Sequence, residues 1–168
     1  MTSLLVLGGA RSGKSRYAQS HVEAMGSKLA YIATAQALDS EMAGRILRHQ
    51  SDRDGRWHTI EAPFALPEAI TEASHKADAI LVDCLTLWLS NLMLDDRDVE
   101  SAGDALCKVV QKTSCPVALV ANEVGLGIVP DNALSRQFRD SAGWLNQKLA
   151  KVVEEVIFVA AGLPMRLK

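Results

Sequence analysis

The sequence predicts an α/β fold, a three-layer sandwich in which a mostly parallel central sheet is flanked by helices. Two observations predict it. Short apolar runs alternate with segments of helical periodicity along the whole chain. The loops of unusual composition come directly after the apolar runs, as ligand-binding loops do in such sheets. With 168 residues, the chain has the length of one domain, so we expect residues 1–168 to form a single domain.

Six short segments have the character of buried or half-buried strands. The predicted strands are residues 4–7, 29–33, 57–60, 79–82, 116–121 and 156–160. Parallel strands place their carboxyl ends at one edge of the sheet, and ligands bind beyond that edge. The loops that follow these strands are therefore the first place to look for a site. The glycine and proline at 162 and 164 predict a turn into a short tail.

Apolar spacing predicts the helices between the strands. The predicted helices start at residues 14, 41, 66, 85, 99 and about 132. Gly26 is expected to cap the first helix at its carboxyl end, and Asp131 to cap the last one at its amino end. Residues 85–94 are apolar on nearly every side, so we expect that helix to be buried all round, within the domain or at a subunit interface.

Composition excludes several classes of protein. The net charge of −2 gives no basic field for nucleic acid, so we expect no nucleic-acid partner. Cys84, Cys107 and Cys115 lack metal-site spacing and indicate buried thiols in a reducing compartment. The amino terminus lacks the charged segment of a signal peptide, and no apolar run reaches the ~20 residues of a membrane span. We therefore expect a cytoplasmic protein without a membrane span.

The strongest motif is the octapeptide at residues 8–15, which matches G-x-x-x-x-G-K-[ST] at every fixed position. Its members are Gly8, Gly9, Ala10, Arg11, Ser12, Gly13, Lys14 and Ser15. Glycines let backbone N–H groups converge on a phosphate, and the following helix adds its positive dipole end. Lys14 is expected to reach the β and γ phosphates of ATP or GTP. The motif therefore predicts a P-loop NTPase fold of the RecA-like type.

Asp83 comes directly after the predicted strand 79–82. An acidic residue at this place in a P-loop protein usually holds Mg²⁺, and the hydroxyl of Ser15 is the second expected ligand. The alternative is that Asp83 caps the helix that begins at Leu85.

His49 is a candidate nucleophile toward phosphorus, because a neutral imidazole is available near its ordinary pKa of about 6.5. Arg45, Arg48 and Arg53 are close in sequence and could hold phosphate oxygens. Taken alone, a single histidine on a helix is more often a bystander, and the arginines could form a solvated face. Glu61 is either a surface charge or a contact to ribose or base. Other carboxylates also follow strands, and Glu123, on the presumed ligand edge, has the better claim.

Several segments together resemble the bifunctional adenosylcobinamide kinase / adenosylcobinamide-phosphate guanylyltransferase family. The matching segments are residues 8–15, 31–36, 41–49, 122–130, 136–147 and 162–168. The P-loop alone is generic, whereas N-E-V-G-L-G-I-V-P at 122–130 combined with R-I-L-R-H at 45–49 is highly specific. The resemblance covers essentially the whole chain.

The resemblance implies two reactions: phosphorylation of adenosylcobinamide by ATP or GTP, then transfer of GMP from GTP to adenosylcobinamide phosphate. It implies a GMP–histidine intermediate on His49, where some relatives have a second histidine in place of Arg48. It also implies a homotrimer, with nucleotide contacts beyond the P-loop. Those contacts are Ala33, Thr34, Ala35, Gln50, Ser51, Asp52, Arg53, Glu61 and Asp83.

Three other readings of the motif remain open. A monofunctional P-loop kinase would need no histidine nucleophile. A GTPase-like switch would read guanine with N-K-x-D, and the N-E-V-G at residues 122–125 does not match that pattern. An oligomeric motor ATPase would need an arginine finger, which the sequence does not identify.

Overall fold

The computed structural model describes residues 3–36 and 54–168. Within these residues seven strands form one sheet and five helices pack against it. The strands are β1 (Ser3–Gly8), β2 (Leu29–Ala33), β3 (Trp57–Glu61), β4 (Ala79–Asp83), β5 (Val117–Asn122), β6 (Glu155–Ala160) and β7 (Leu163–Arg166). The helices are α1 (Lys14–Glu23), α2 (Leu66–Ser74), α3 (Leu85–Leu94), α4 (Val99–Lys112) and α5 (Ala133–Val152).

The strand order is β3-β2-β4-β5-β1-β6-β7, and every neighbouring pair is parallel except β6 and β7. The register aligns the carboxyl ends of the strands: Gly8 lies opposite Asn122 and Val159. Ala33 likewise lies opposite Glu61 and Asp83. The loops that follow the six parallel strands therefore leave the sheet along one edge, as the sequence predicts.

Both faces of the sheet are covered. Leu5 of β1 belongs to the hydrophobic core on one face, whereas Leu4 and Val6 belong to the core on the other. This alternation follows from the two-residue repeat of a strand, and near-continuous apolar strands are typical of a sheet buried on both sides. Helices α2 to α5 supply the first core, and α1 supplies Ala18 and Val22 to the second. The predicted three-layer fold is confirmed.

Two predicted helix caps are wrong. Helix α1 ends at Glu23 with Ala24 as its C-cap, and Gly26 lies beyond it. Gly26 is instead a point of close approach, because a Cβ there would collide with the side chain of Asp78. At the start of α5, the N-cap is Asn132, whose side chain accepts a hydrogen bond from the Ser135 N–H at 2.8 Å. Both Asp and Asn are good N-caps, so sequence alone did not separate neighbouring candidates.

Two further elements differ from the expectations. Residues 163–166 form the edge strand β7, antiparallel to β6, rather than an irregular tail. Helix α3 is not buried all round within this one chain: Trp88 and Leu89 are inside, but Leu94 is 68% exposed. This excludes full burial within the domain, and burial at a subunit interface stays a prediction. The predicted helix 41–50 lies outside the described residues. Within residues 3–36 and 54–168, no helix is long and apolar enough to span a bilayer.

Candidate active site

The P-loop motif occupies the turn between the end of β1 and the start of α1. Gly13 has φ of 97°, in the left-handed region that glycine adopts without strain, and it is the N-cap of α1. Since glycine provides no capping side chain, the first N–H groups of the helix are free to bind an anion. The loop is also fixed from outside, because the Gly162 N–H donates to the Ser12 carbonyl at 2.8 Å.

Lys14 lies inside this loop with only 8% of its surface exposed. Its ammonium donates to the Gly9 carbonyl at 3.1 Å. A buried ammonium needs several partners, and it has three protons to donate. One of these protons is donated to the Gly9 carbonyl. Lys14 therefore lies within the loop for which the motif predicts phosphate binding.

The first glycine of the motif is required by close packing. A Cβ at Gly8 would lie 2.5 Å from the Ser12 Oγ and 2.5 Å from the Val159 carbonyl oxygen. The Ser12 hydroxyl is itself buried and has no hydrogen-bond partner in the described part of the chain. A buried hydroxyl without a partner is costly, so Ser12 is a candidate donor to a phosphate oxygen.

A cavity of about 710 Å³ opens beside the loop. Its lining includes Arg11, Lys14, Ser15, Tyr31 and Asp83. Asp83 is half-buried at the end of β4. It is not the cap of the next helix, because α3 begins after Cys84 and has no side-chain cap. The structure thus places the two predicted metal ligands, Ser15 and Asp83, on one cavity with the phosphate loop.

The thiol beside Asp83 is buried, and its pKa is raised. Burial raises the pKa of Cys84 to about 11, and the negative charge of Asp83 adds to the effect. Cys84 and Cys115 are buried and Cys107 is half-buried, all as free thiols. The expectation of buried thiols without a disulfide is therefore largely met within the described residues.

The loops after β2 and β3 lie at the same edge. Ala33 and Glu61 are paired across the strands, and the Ala62 N–H donates to the Ala33 carbonyl at 2.8 Å. Glu61 is exposed at the end of β3. Thr34 is fully buried, and its hydroxyl donates to the Cys84 carbonyl at 2.7 Å. The backbone of Thr34 is also engaged, because its N–H donates to the Asp83 carbonyl at 3.4 Å and its carbonyl accepts from the Asn91 amide at 2.8 Å. Thr34 therefore lies in the protein interior, and the predicted contact between this residue and a nucleotide stays a prediction.

Glu123 organises its own loop. Its carboxylate accepts hydrogen bonds from the N–H groups of Gly125 and Leu126, at 2.7 and 3.1 Å. Its own N–H donates to the Gly8 carbonyl at 2.9 Å, so this loop is tied to the phosphate cradle. The carboxylate of Glu123 is thus hydrogen-bonded within its own loop, which weakens the hypothesis that it contacts a ribose or base.

Part of the predicted site lies outside the described residues. His49 and its neighbours Gln50, Ser51, Asp52 and Arg53 lie outside the described residues. The same holds for Arg45 and Arg48.

The sequence reasoning missed two polar residues of α3, Thr86 and Asn91. Residues 85–94 were described only as apolar on nearly every side, and neither residue was given a role. The Thr86 hydroxyl accepts from the Asn122 N–H at 2.7 Å, and the Asn91 amide donates to the carbonyls of Thr34 and Pro63, at 2.8 and 3.0 Å. The available signal was their polar character within a helix that otherwise packs against the core.

Comparison with known proteins gives full-length matches. Residues 4–167 match the family described as cobinamide kinase / cobinamide phosphate guanyltransferase. The chain is 46% identical over 166 residues to the bifunctional adenosylcobalamin biosynthesis protein CobP of Pseudomonas aeruginosa, covering 98% of this chain and 96% of that protein. It is 39% identical to the bifunctional protein CobU of Salmonella typhimurium and 41% identical to that of Escherichia coli, each over 180 residues. Each alignment covers 98% of this chain and 99% of the relative.

Among solved structures, a Pyrococcus horikoshii protein described as a study of PH0250 matches with a TM-score of 0.54 at 13% identity. That match covers 99% of this chain and 86% of the other, and it concerns the fold alone. The P4 protein of bacteriophage phi6 in complex with ADP gives a TM-score of 0.48 at 15% identity, and the chain spans 52% of its length. The sequence matches confirm the family resemblance, and with it the expectation of an enzyme of cobalamin biosynthesis.

Proposed function

The chain belongs to the cobinamide kinase / cobinamide phosphate guanyltransferase family, and from that premise we propose that it carries out two reactions in sequence. The first phosphorylates adenosylcobinamide with ATP or GTP. The second transfers GMP from GTP to adenosylcobinamide phosphate, giving adenosylcobinamide-GDP and pyrophosphate. The observation that carries the proposal is the phosphate loop at residues 8–15, which opens onto a cavity at the ligand edge of the sheet.

In the kinase step, the hydroxyl oxygen of the acceptor bonds to the γ-phosphorus. The bond from that phosphorus to the β–γ bridging oxygen breaks, and the hydroxyl proton is lost. Catalysis of this reaction consists mainly of positioning and charge stabilisation. The N–H groups at the start of α1 and the Lys14 ammonium are suited to hold the phosphates, because they belong to one turn between β1 and α1. The hydroxyl of Ser12 is a further donor.

The residues present fit a magnesium ion that is shared with the nucleotide. Within the described ranges no group of three or more His, Cys, Asp or Glu residues could hold a metal by itself. Mg²⁺ in phosphoryl-transfer sites instead takes one or two protein ligands and completes its shell with phosphate oxygens and water. Ser15 and Asp83 line the same cavity and would supply the protein ligands. A bound Mg²⁺ would neutralise charge on the phosphates.

In the second reaction, we assign the nucleophile to His49. Its imidazole nitrogen bonds to the α-phosphorus of GTP, and the bond to the α–β bridging oxygen breaks, so that pyrophosphate leaves. A phosphate oxygen of the acceptor then bonds to the same phosphorus, and the phosphorus–nitrogen bond breaks. An uncharged nucleophile avoids the repulsion between two anions in the first attack. Lys14 would stabilise the charge that develops on pyrophosphate.

We further propose that residues 1–168 form a single cytoplasmic domain that works as a homotrimer without a nucleic-acid partner. The support for assembly is exposed apolar surface on α3 and the loop after β5. Leu94, Leu126 and Ile128 are 68, 82 and 98% exposed. Exposed apolar side chains mark an interaction surface where they form one contiguous patch, and assembly would bring these side chains out of water. Sedimentation equilibrium should give three times the mass of one chain, and a monomer mass would refute the assembly.

The nucleophile is tested with α-labelled GTP and Mg²⁺, followed by denaturing electrophoresis. The wild-type protein should retain label that is acid-labile and base-stable, as expected for a phosphorus–nitrogen bond. His49→Ala should retain none. His75→Ala is the matched control, because His75 is the exposed C-cap of α2 and should leave labelling unchanged.

Two outcomes would change the proposal. Label retained by His49→Ala would assign the covalent step to another residue. No label on the wild-type protein, together with phosphorylation of adenosylcobinamide, would leave a monofunctional kinase.

A further inference from the structure

Helix α3 carries three polar side chains that bond to the loops at the ligand edge of the sheet. The Thr86 hydroxyl accepts from the backbone of Asn122, at the end of β5. The indole N–H of Trp88 donates to the Phe64 carbonyl at 2.8 Å, in the segment that follows β3. Asn91 bonds to the loops after β2 and β3 together. An otherwise apolar helix thus fastens three strand ends to each other.

The contacts of Asn91 are specific to its side chain. The two protons of one amide nitrogen go to two carbonyl oxygens, those of Thr34 at 2.8 Å and Pro63 at 3.0 Å. Aspartate has the same shape but no proton to donate at neutral pH, and leucine has the size but no polar atom. Neither can replace this bridge, which adds to the backbone hydrogen bond from the Ala62 N–H to the Ala33 carbonyl and extends the connection to Thr34 and Pro63.

Thr34 extends the connection to a third strand end. Its hydroxyl accepts from the Cys84 N–H at 2.9 Å and donates to the Cys84 carbonyl at 2.7 Å. Cys84 directly follows Asp83, which lines the cavity beside the phosphate loop. The bonds therefore run from Asn91 through Thr34 to the backbone next to Asp83. All of these polar groups are buried or half-buried, where a lost partner is costly.

We propose that Asn91 is a positioning residue for nucleotide binding: it holds the backbone of residues 33–35, Glu61 and Asp83 in one arrangement around the phosphate loop. The proposal rests on the nucleotide site of the proposed function, but not on the histidine chemistry. Without the bridge, the loops sample several arrangements, and binding must select the competent one. If the competent fraction falls to about a tenth, the apparent Kd rises about tenfold.

The test measures the Kd for GDP with Mg²⁺ by calorimetry, at a temperature well below the melting point of every variant. Asn91→Leu and Asn91→Asp should both raise the Kd about tenfold. Ser90→Ala is the control on the same helix and should stay within about twofold of the wild type. If Asn91 only stabilised the fold, its substitution would lower Tm without changing the Kd of the folded protein.

A double-mutant cycle then tests the path through Thr34. Thr34→Val removes the hydroxyl and keeps the shape. If both residues act through one network, the double variant should bind hardly worse than either single variant. Independent, additive effects on the Kd would refute the path from Asn91 to Asp83.

The proposal is overturned if the folded Asn91 variants bind GDP as tightly as the wild type, or if the wild type binds no nucleotide. Should Asn91→Leu fail to fold, Asn91→Asp decides, because it keeps the original shape. Absence of the guanylylated histidine would refute only the transfer mechanism. The affinity for GDP does not depend on that step, so the two failures are distinguishable.

Discussion

Replacement of Gly8 by alanine is the sharpest test of how the phosphate loop is packed. The new Cβ would lie 2.5 Å from two oxygen atoms, the Ser12 Oγ and the Val159 carbonyl. Even weak C–H···O contacts are about 3.3–3.6 Å long, so each approach is roughly 1 Å too short. The Ser12 side chain can rotate away. The Val159 carbonyl cannot, because β6 is paired with β1 at this position.

The expected loss of stability follows from the fixed position of the Val159 carbonyl. Overpacking a fixed site costs about 1–3 kcal/mol, and a clash with sheet backbone belongs in the upper part of that range. For a chain of this length, 2–3 kcal/mol corresponds to a Tm lower by roughly 5–10 °C. The same displacement would disturb Ser12 and hence the phosphate cradle, so affinity for GDP should fall as well.

The assay is thermal unfolding without nucleotide, followed by circular dichroism, with Gly9→Ala as the matched control. Gly9 belongs to the same loop, but a Cβ there meets nothing within 4 Å. The control should therefore change stability by less than about 0.5 kcal/mol. Equal Tm values for the two variants would refute the reasoning from close packing.

Three further results are expected. Lys14→Met should weaken GDP binding about 10–100-fold in calorimetry, since hydrogen bonds to a charged group are the strong ones. Asp78→Asn should destabilise the protein at pH 7. The N–H groups of Lys28 and Ser27 donate to the Asp78 carboxylate and lower its pKa, so the charged form stabilises the folded state. That stabilisation is present above the unfolded pKa of about 4 and is lost as pH falls through the lower folded pKa. Cys84 should react with a thiol reagent at pH 8 far more slowly than Cys107, because burial raises its pKa to about 11.

Each of these results has a clear contrary outcome. Unchanged GDP affinity in Lys14→Met would remove the ammonium from the phosphate site. For Asp78→Asn, urea unfolding should show a lower free energy of unfolding than that of the wild type at pH 7, and this difference should disappear at pH 3. A difference that is the same at both pH values would exclude the carboxylate charge as its cause. Rapid native-state labelling of Cys84, read by mass spectrometry of peptides, would show that the β4–α3 junction opens.

Much of the fold could be predicted from the sequence because its signals are local. The second strand was predicted with the bounds that the structure shows, since its five residues are all buried and apolar. The helices at 66–74 and 99–112 follow from one apolar stripe each. The phosphate loop was predictable for the same reason, because all eight residues are contiguous and their conformations are set by glycine and by the helix that follows.

The errors arose where several residues could serve equally well. Asp131 and Asn132 are both capable N-caps, and the register of α5 against the core selects the second. Gly26 looks like a helix terminator, but its packing partner Asp78 lies about fifty residues away. All residues of strand β7 are exposed, so no alternation of apolar and polar residues predicts it. It forms because it pairs with the edge of β6.

By itself the sequence determined the α/β class, the phosphate loop and the family. These depend on periodicity, on a contiguous motif and on identity over the whole length. Only the tertiary structure decided that Thr34 turns inward, that Glu123 binds its own loop, and that Asn91 joins two strand ends. The contacts of Thr34 and Asn91 join residues that are 50 and 57 positions apart. A hydrogen bond between distant residues leaves no period in the sequence, because its geometry exists only once the sheet has brought both partners to one edge.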